Sequence, residues 1–124
     1  MIKTNKPFEL IYFSVFPTQT VEGMIYTYIA VDDYSTFTFV TGIEHDVTPE
    51  LLSKHIDILM HHKDFKKPTK SKFTIMIPYD QDVNIESKVL DVIKPFNGEL
   101  VFNQKEVVKN TLPIINAFNA FKNK

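Results

Sequence analysis

The sequence predicts a single α/β domain in which a mixed five-stranded sheet is flanked by helices. The chain has 124 residues, of which 44% are apolar and 23% charged, and its apolar pattern changes period partway along. This length supports one hydrophobic core. The composition is typical of a globular protein rather than a disordered one. We therefore treat residues 1–124 as one domain.

The first half of the chain predicts three strands. β-branched and aromatic residues fill Phe8–Phe16, Met24–Val31 and Thr36–Ile43. The first strand is apolar on both faces, which favours a buried position in the sheet, and we expect Pro17 to end it. The turn residues Asp32–Ser35 predict that the second and third strands form a hairpin.

The second half predicts helices that alternate with strands. A helix should begin at Thr48, because a hydroxyl followed by proline and glutamate suits a helix start. A short strand, Lys72–Ile77, follows it, and Asn84 is the expected cap of the next helix. Glu99–Phe102 then forms a fifth strand, and Lys105–Phe121 is the helical tail.

The tail carries two further expectations. Val108, Leu112, Ile115 and Phe118 form its apolar stripe, while Pro113 favours a break into two pieces, since an interior proline removes a helical hydrogen bond. The whole order is then β-β-β-α-β-α-β-α. Hairpins followed by alternation imply a mixed sheet covered by helices on both faces.

One segment narrows the fold class further. Tyr26–Val40, which reads YTYIAVDDYSTFTFV, runs from an apolar strand through an Asp-Asp-Tyr-Ser turn into an aromatic-rich strand. It resembles the second and third strands of integrase catalytic cores. With the element order, the chain resembles an integrase or transposase catalytic core of the ribonuclease H-like superfamily. The likeness covers the whole chain in element order and about fifteen residues in motif.

This resemblance implies a two-metal phosphoryl-transfer site built from three carboxylates, which must converge because two divalent cations about 4 Å apart are bridged together. The first position falls at Tyr12–Ser14, where no residue is acidic. Asp80 fits the second position without the Asn-Gly that follows it in the family. The third falls near Ile115, and the nearest acid on that side is Glu106.

Only one of the three carboxylate positions has a plausible ligand, and a lone carboxylate binds a divalent cation weakly. We therefore expect a degenerate, catalytically inactive domain, for which the resemblance implies a mobile-element origin. Binding or assembly is then the expected role, with Asp80 a relic and no cofactor. The alternative is an active metal-dependent DNA nuclease or strand transferase that uses Mg²⁺ or Mn²⁺. That alternative is favoured if acids from two parts of the chain cluster at one end of the sheet. The cluster would bring Asp80, Asp82 or Glu106 close to Asp32 or Asp33.

The charge balance gives little support to nucleic-acid binding. Fourteen basic and 15 acidic residues leave a formal net charge of −1, so DNA is a candidate partner that overall attraction does not favour. A third hypothesis is a nucleic-acid-binding module that uses one lysine-rich stretch, although such a run is more often a solvated loop. The lysines of this stretch are Lys63, Lys66, Lys67, Lys70 and Lys72.

Several other features limit the function classes. The chain has no cysteine, which excludes disulfides, zinc thiolate sites and thiol nucleophiles. The polar N-terminus and the lack of an apolar run of roughly 20 residues predict a cytoplasmic protein with no membrane partner. An edge strand at Glu99–Phe102 or the Phe118–Phe121 tail is a surface that a second copy would cover in a homodimer.

Two sets of titratable residues, two aspartates and three histidines, are expected to have structural roles. Asp32 and Asp33 fall in the predicted hairpin turn, where aspartate is favoured for its backbone hydrogen bonds. His55 lies on the apolar stripe of the first helix and is expected in the core. His61 and His62 diverge by about 100° on a helix, so we expect exposed side chains and no shared metal site.

Overall fold

The computed structural model describes residues 4–66 and 71–122, with the backbone alone described for residues 121 and 122. It contains five strands and three helices, together with a 3-10 turn at Lys94–Phe96. Their bounds are β1 Leu10–Thr20, β2 Gly23–Asp32, β3 Thr38–Glu44, α1 Pro49–Met60, β4 Phe73–Ile77, α2 Val83–Ile93, β5 Gly98–Phe102 and α3 Gln104–Lys122. Among these residues no helix is both long and apolar enough to cross a bilayer.

The five strands form one mixed sheet in the order β3-β2-β1-β4-β5. β1 and β2, and likewise β2 and β3, are antiparallel, whereas β4 runs parallel to both β1 and β5. This arrangement is consistent with a ribonuclease H-like fold, and the predicted α/β class with a five-stranded mixed sheet is confirmed. β3 and β5 are the two edges of the sheet.

Helices cover both faces of the sheet. On one face, α1 and α2 pack over a large core that includes Ile11, Phe13, Tyr28, Ile56 and Phe73. On the other, α3 closes a smaller core around seven buried side chains: Leu10, Tyr12, Phe16, Ile29, Val31, Met76 and Val107. Alternate residues of β1 therefore serve two different cores, as its two apolar faces predict.

β1 extends further than its sequence indicates. The strand continues through Pro17, which pairs in register with Tyr26 of β2, so the expectation that Pro17 ends it was wrong. β4 pairs with β1 at Leu10–Tyr12 alone. Pro17 thus lies on a stretch of β1 with one neighbouring strand, and proline is tolerated on such an edge.

The helix starts follow cap chemistry, with one correction. Thr48 caps α1 as predicted, because its hydroxyl oxygen accepts a hydrogen bond from the Leu51 amide at 3.1 Å. The cap of α2 is Asp82 rather than Asn84. The Asp82 carboxylate accepts from the amides of Asn84 and Ile85, at 2.8 and 3.1 Å. Its negative charge also suits the positive end of the helix dipole.

α3 differs from its prediction in two respects. It is one helix that continues through the exposed Pro113, and its buried stripe is displaced by one residue. Val107 and Thr111 are buried, whereas Val108 and Leu112 are about half exposed, at 44% and 46%. Thr111 tolerates burial because its hydroxyl donates to the Val107 carbonyl at 2.7 Å.

Candidate functional site

A cleft of about 960 Å³ opens on the α3 face of the sheet. Side chains from β1, β4 and β5 form a largely apolar floor, and polar side chains from α3, the N-terminal segment and two connecting segments form the walls. We call it the Tyr12 cleft. It is lined by Thr4, Leu10, Tyr12, Asp33, Met76, Val101, Asn103, Glu106, Lys109 and Asn110.

Strand register and capping place the polar groups of this cleft. Tyr12 pairs with Met76 across the β1–β4 interface, and strand alternation turns its side chain to the α3 face. Asp33 follows β2 directly, and its amide donates to the Leu10 carbonyl at 3.0 Å. Asn103 follows β5, where its side-chain oxygen accepts from the Glu106 amide at 3.1 Å. The cleft therefore collects residues from distant parts of the chain.

The Tyr12 hydroxyl is hydrogen-bonded to the Asp33 carboxylate. It donates to Asp33 Oδ1 at 2.6 Å, while the Thr4 hydroxyl donates to Asp33 Oδ2 at 2.8 Å. Burial, this hydrogen bond and the negative charges of Asp33 and Glu106 raise the pKa of Tyr12 well above its usual value. Tyr12 is thus a neutral donor at physiological pH, and both oxygens of Asp33 are engaged.

Glu106 is the second acid of the cleft. It lies in the first turn of α3, where a carboxylate interacts favourably with the helix dipole. The Asn110 amide donates to the Glu106 carbonyl at 2.7 Å and approaches its carboxylate Oε2 at 3.4 Å. With Lys109 also in the wall, the lining mixes both signs of charge with two amides.

This donor set does not fit a pair of divalent cations. A two-metal centre needs several converging carboxylates, and the lining contains two, Asp33 and Glu106. Tyr12 belongs to the stretch Tyr12–Ser14, where the integrase resemblance implies an acid and the chain has none, and its phenol donates a hydrogen bond instead of offering a charged oxygen. Within the described residues no three His, Asp or Glu side chains are grouped as metal ligands.

The predicted acids are divided between different places. Asp80 is exposed and absent from the cleft lining, and Asp82 caps α2. Asp33 and Glu106 do line the same cleft, which is one of the groupings that favour the nuclease alternative. The turn role expected for Asp32 is confirmed, since it is buried and accepts hydrogen bonds from Phe8 and Ser35.

Thr4, Asn103, Lys109 and Asn110 are polar residues of the cleft that the sequence analysis did not single out. Asp33 was expected in the hairpin turn, but its contact with Tyr12 depends on the register of β1 against β2. Thr4 reaches Asp33 across 29 residues of chain. The cap signal of Asn103, an asparagine just before an apolar-periodic stretch, was available in the sequence.

A second polar cluster surrounds His55, which is buried as predicted. Its Nε2 lies 2.7 Å from Glu44 Oε2, its Nδ1 lies 2.9 Å from Thr41 Oγ1, and its ring stacks on Tyr28 at 4.1 Å. Hydrogen bonds from Lys54 and His55 lower the pKa of Glu44. Each polar atom of His55 thus has a partner inside the fold, which favours a structural role.

Three of the five lysines in the predicted stretch lie in the described part of the chain. Lys63 and Lys66 are exposed, and Lys72 forms a salt bridge of 3.1 Å with Glu99 on β5. Lys67 and Lys70 lie outside the described residues. The predicted exposure of His61 is confirmed, and His62 is half-buried.

Comparisons with known proteins identify a fold and no family. The chain matches no protein-family profile and no curated protein by sequence. Nine chains of solved structures match it in three dimensions. One belongs to the cryo-EM structure of a simian T-cell lymphotropic virus intasome in complex with a PP2A regulatory subunit, with a TM-score of 0.65 and 8% sequence identity. The match covers 89% of this chain and 41% of that one, so this chain spans about two fifths of its neighbour's length.

Proposed function

We propose that this chain is a degenerate, integrase-core-like domain of mobile-element origin that acts in binding or assembly without catalysing phosphoryl transfer. The observation that carries the proposal is the Tyr12 hydroxyl at 2.6 Å from Asp33 Oδ1, on the stretch Tyr12–Ser14 where the resemblance implies a metal-binding acid and the chain has none. The likeness of the fold to a chain of a viral intasome supports an integrase-related origin.

Electrostatics gives the physical reason for inactivity. Phosphoryl transfer in such sites depends on cations that neutralise charge on the attacking and leaving oxygens. The Asp33 carboxylate already accepts hydrogen bonds from Tyr12 and Thr4, one on each oxygen. Glu106 is the other carboxylate of the cleft. Two carboxylates leave most of the ligand positions around a pair of cations to water.

A metal-dependent nuclease or strand transferase is the second candidate, because Asp33 and Glu106 line the same cleft. This function requires a further ligand from the nucleic acid itself or from Asp80 after a rearrangement of the segment that follows β4. It predicts activity that depends on Glu106.

A nicking assay on supercoiled and end-labelled DNA, with Mg²⁺ or Mn²⁺ at millimolar concentration, separates the two candidates. The wild-type chain should leave both substrates intact. Glu106→Gln and Asp33→Asn test the cleft, and Asp91→Asn on the exposed side of α2 is the matched control. Metal-dependent nicking that is lost in Glu106→Gln and retained in Asp91→Asn would overturn the proposal in favour of the nuclease.

A further inference from the structure

The Tyr12 cleft is large enough to hold a small molecule. Its volume of about 960 Å³ lies in the upper part of the range of small-molecule sites. Its floor is apolar, because Leu10, Met76 and Val101 face the side of the sheet that α3 covers. Such a floor offers contact area to the apolar body of an organic ligand, which a metal ion does not use.

A buried carboxylate holds one wall of the cleft in place. Asp32 is fully buried, and its two oxygens accept hydrogen bonds from the amides of Phe8 and Ser35. Phe8 is bound there at a φ of 69°, which is uncommon for a bulky residue. Asp33 follows directly along the chain, and Thr4 is joined to it by a hydrogen bond. This polar wall is therefore preformed, which lowers the entropy cost of binding a ligand.

Two carboxylates of the cleft have no cationic partner. Asp33 and Glu106 are both half-buried, and within the described residues neither forms a salt bridge, whereas three other glutamates each pair with a lysine. One oxygen of Glu106 lies 3.4 Å from the Asn110 amide nitrogen, and the other has no hydrogen-bond partner among these residues. Partly buried carboxylates that lack a counter-charge favour the binding of a cation.

Lys109, the basic residue of the lining, does not neutralise these acids. It is exposed, and in the described part of the chain it forms no salt bridge with Glu106, three residues before it on α3. The Tyr12 hydroxyl is sensitive to the charge at the floor. Burial raises the pKa of Tyr12, the hydrogen bond and charge of Asp33 and the charge of Glu106 raise it further, and no described cation lowers it. The electrostatic potential at the floor is thus negative.

The hydrogen-bonding positions that remain open on the acids are acceptors. The hydroxyl protons of Tyr12 and Thr4 are both donated to Asp33, and the Asn110 amide donates to the Glu106 carbonyl. Each carboxylate has about four lone-pair sites, so both acids can accept further hydrogen bonds. A ligand that binds them must bring donors, as an ammonium or guanidinium group does.

We propose that the Tyr12 cleft binds a small organic cation, whose ammonium or guanidinium group is held by Asp33 and Glu106 and whose apolar body lies on the floor. This ligand needs less than a two-metal centre does. An ammonium group carries one charge and three donors, so two carboxylates are enough for it, whereas a pair of divalent cations needs more ligands. The inference rests on the proposed non-catalytic binding function and names the class of ligand.

Three indoles with one ring system and different charges test this inference on the whole chain. They are the cation tryptamine, the neutral indole-3-ethanol and the anion indole-3-acetate, each titrated into the isotope-labelled chain. Tryptamine should shift the amide signals of Tyr12, Asp33 and Glu106. It should bind at least about tenfold more tightly than the alcohol, because its hydrogen bonds to the carboxylates are charge-assisted. The anion should bind more weakly than the alcohol.

Glu106→Gln separates charge from shape. It should weaken tryptamine binding by about tenfold and leave indole-3-ethanol binding unchanged, since glutamine keeps the size of the side chain without its charge. Glu86→Gln is the matched control, because Glu86 is a half-buried acid in the first turn of α2, on the other face of the sheet. Lys109→Gln should tighten tryptamine binding, since it removes a like charge from the wall. Thermal unfolding of each variant checks that the fold persists.

Four results would overturn the inference. They are no shift of the cleft signals at millimolar tryptamine, equal affinity for tryptamine and indole-3-ethanol, equal weakening by Glu106→Gln and Glu86→Gln, and tighter binding of a lysine-containing peptide with blocked ends. The last result would assign the cation to a side chain of a partner protein. None of them would alter the expected lack of metal-dependent nicking, so this inference can fail while the proposed function stands.

Discussion

Two adjacent aspartates show how far single residues could be predicted. Asp32 and Asp33 were expected to serve the hairpin turn, and Asp32 does so from a buried position. Asp33 points to the opposite face, as neighbours on an extended chain do, and there meets the hydroxyl of Tyr12. Turn chemistry is local and is visible in the sequence. The contact with Tyr12 depends on how two strands pair, and that pairing is not visible in the sequence.

Removal of the Asp32 carboxylate should be costly. Asp32→Ala leaves the Phe8 and Ser35 amides without their buried acceptor, and we expect a loss of about 3 kcal/mol in the free energy of unfolding. Urea denaturation followed by circular dichroism measures it. Asp64→Ala, at an exposed aspartate, should change stability by less than about 0.5 kcal/mol. Equal effects of the two substitutions would refute the assigned role of Asp32.

Glu44 should make stability depend on pH in the acid range. Lys54 and then His55 lower its pKa in the folded chain, so its contribution is present above the unfolded pKa of about 4.3 and is lost as pH falls through the folded pKa. Glu44→Gln removes the charge and keeps an acceptor. The stability difference between wild type and this variant should shrink as pH falls from about 5 toward about 3.

Urea unfolding at each pH measures this difference, with Glu22→Gln in the exposed β1–β2 turn as the control for the loss of one negative charge. A difference that grows as pH falls would show that the carboxylate of Glu44 is not stabilised by its neighbours.

At the scale of elements, prediction succeeded where the signal is local. Thr48, Pro49 and Glu50 mark the start of α1 by the chemistry of the first turn. The predicted apolar stripe of α3 is displaced by one residue from the buried one. The pattern treats Thr111 as polar, but its hydroxyl donates to the Val107 carbonyl of the same helix and can therefore be buried. The break expected at Pro113 was wrong for a related reason. Packing of Val107, Ile114 and Ile115 on the sheet holds α3 in place and offsets one missing hydrogen bond.

Pro113 should nevertheless weaken α3. Pro113→Ala restores an amide donor at an exposed position inside the helix, and we expect it to raise the free energy of unfolding by about 2 kcal/mol. Asn116→Ala, one turn later and also exposed, should change it by less than about 0.7 kcal/mol. Chemical denaturation of both variants checks the difference. A decrease in stability for Pro113→Ala would show that the proline stabilises α3 instead of weakening it.

At the scale of the molecule, the sequence predicts the sheet but not the cleft. Hairpins followed by alternating helices and strands leave few arrangements of five strands, and the observed mixed sheet is among them. The Tyr12 cleft depends instead on how the N-terminal segment, β1, the end of β5 and α3 meet. Residues from Thr4 to Asn110 contribute to it, and no motif of fixed spacing connects them.

The most direct measurement is a titration of Mn²⁺ into the isotope-labelled wild-type chain, followed by paramagnetic broadening of the amide signals of Tyr12, Asp33, Glu106 and Asn110. Because Asp33 and Glu106 are the two carboxylates among the residues that line the cleft, too few to hold a divalent cation tightly, we expect no selective broadening up to millimolar metal. Selective broadening of these four signals that saturates at micromolar Mn²⁺ would contradict this, and would show that the cleft is a metal centre.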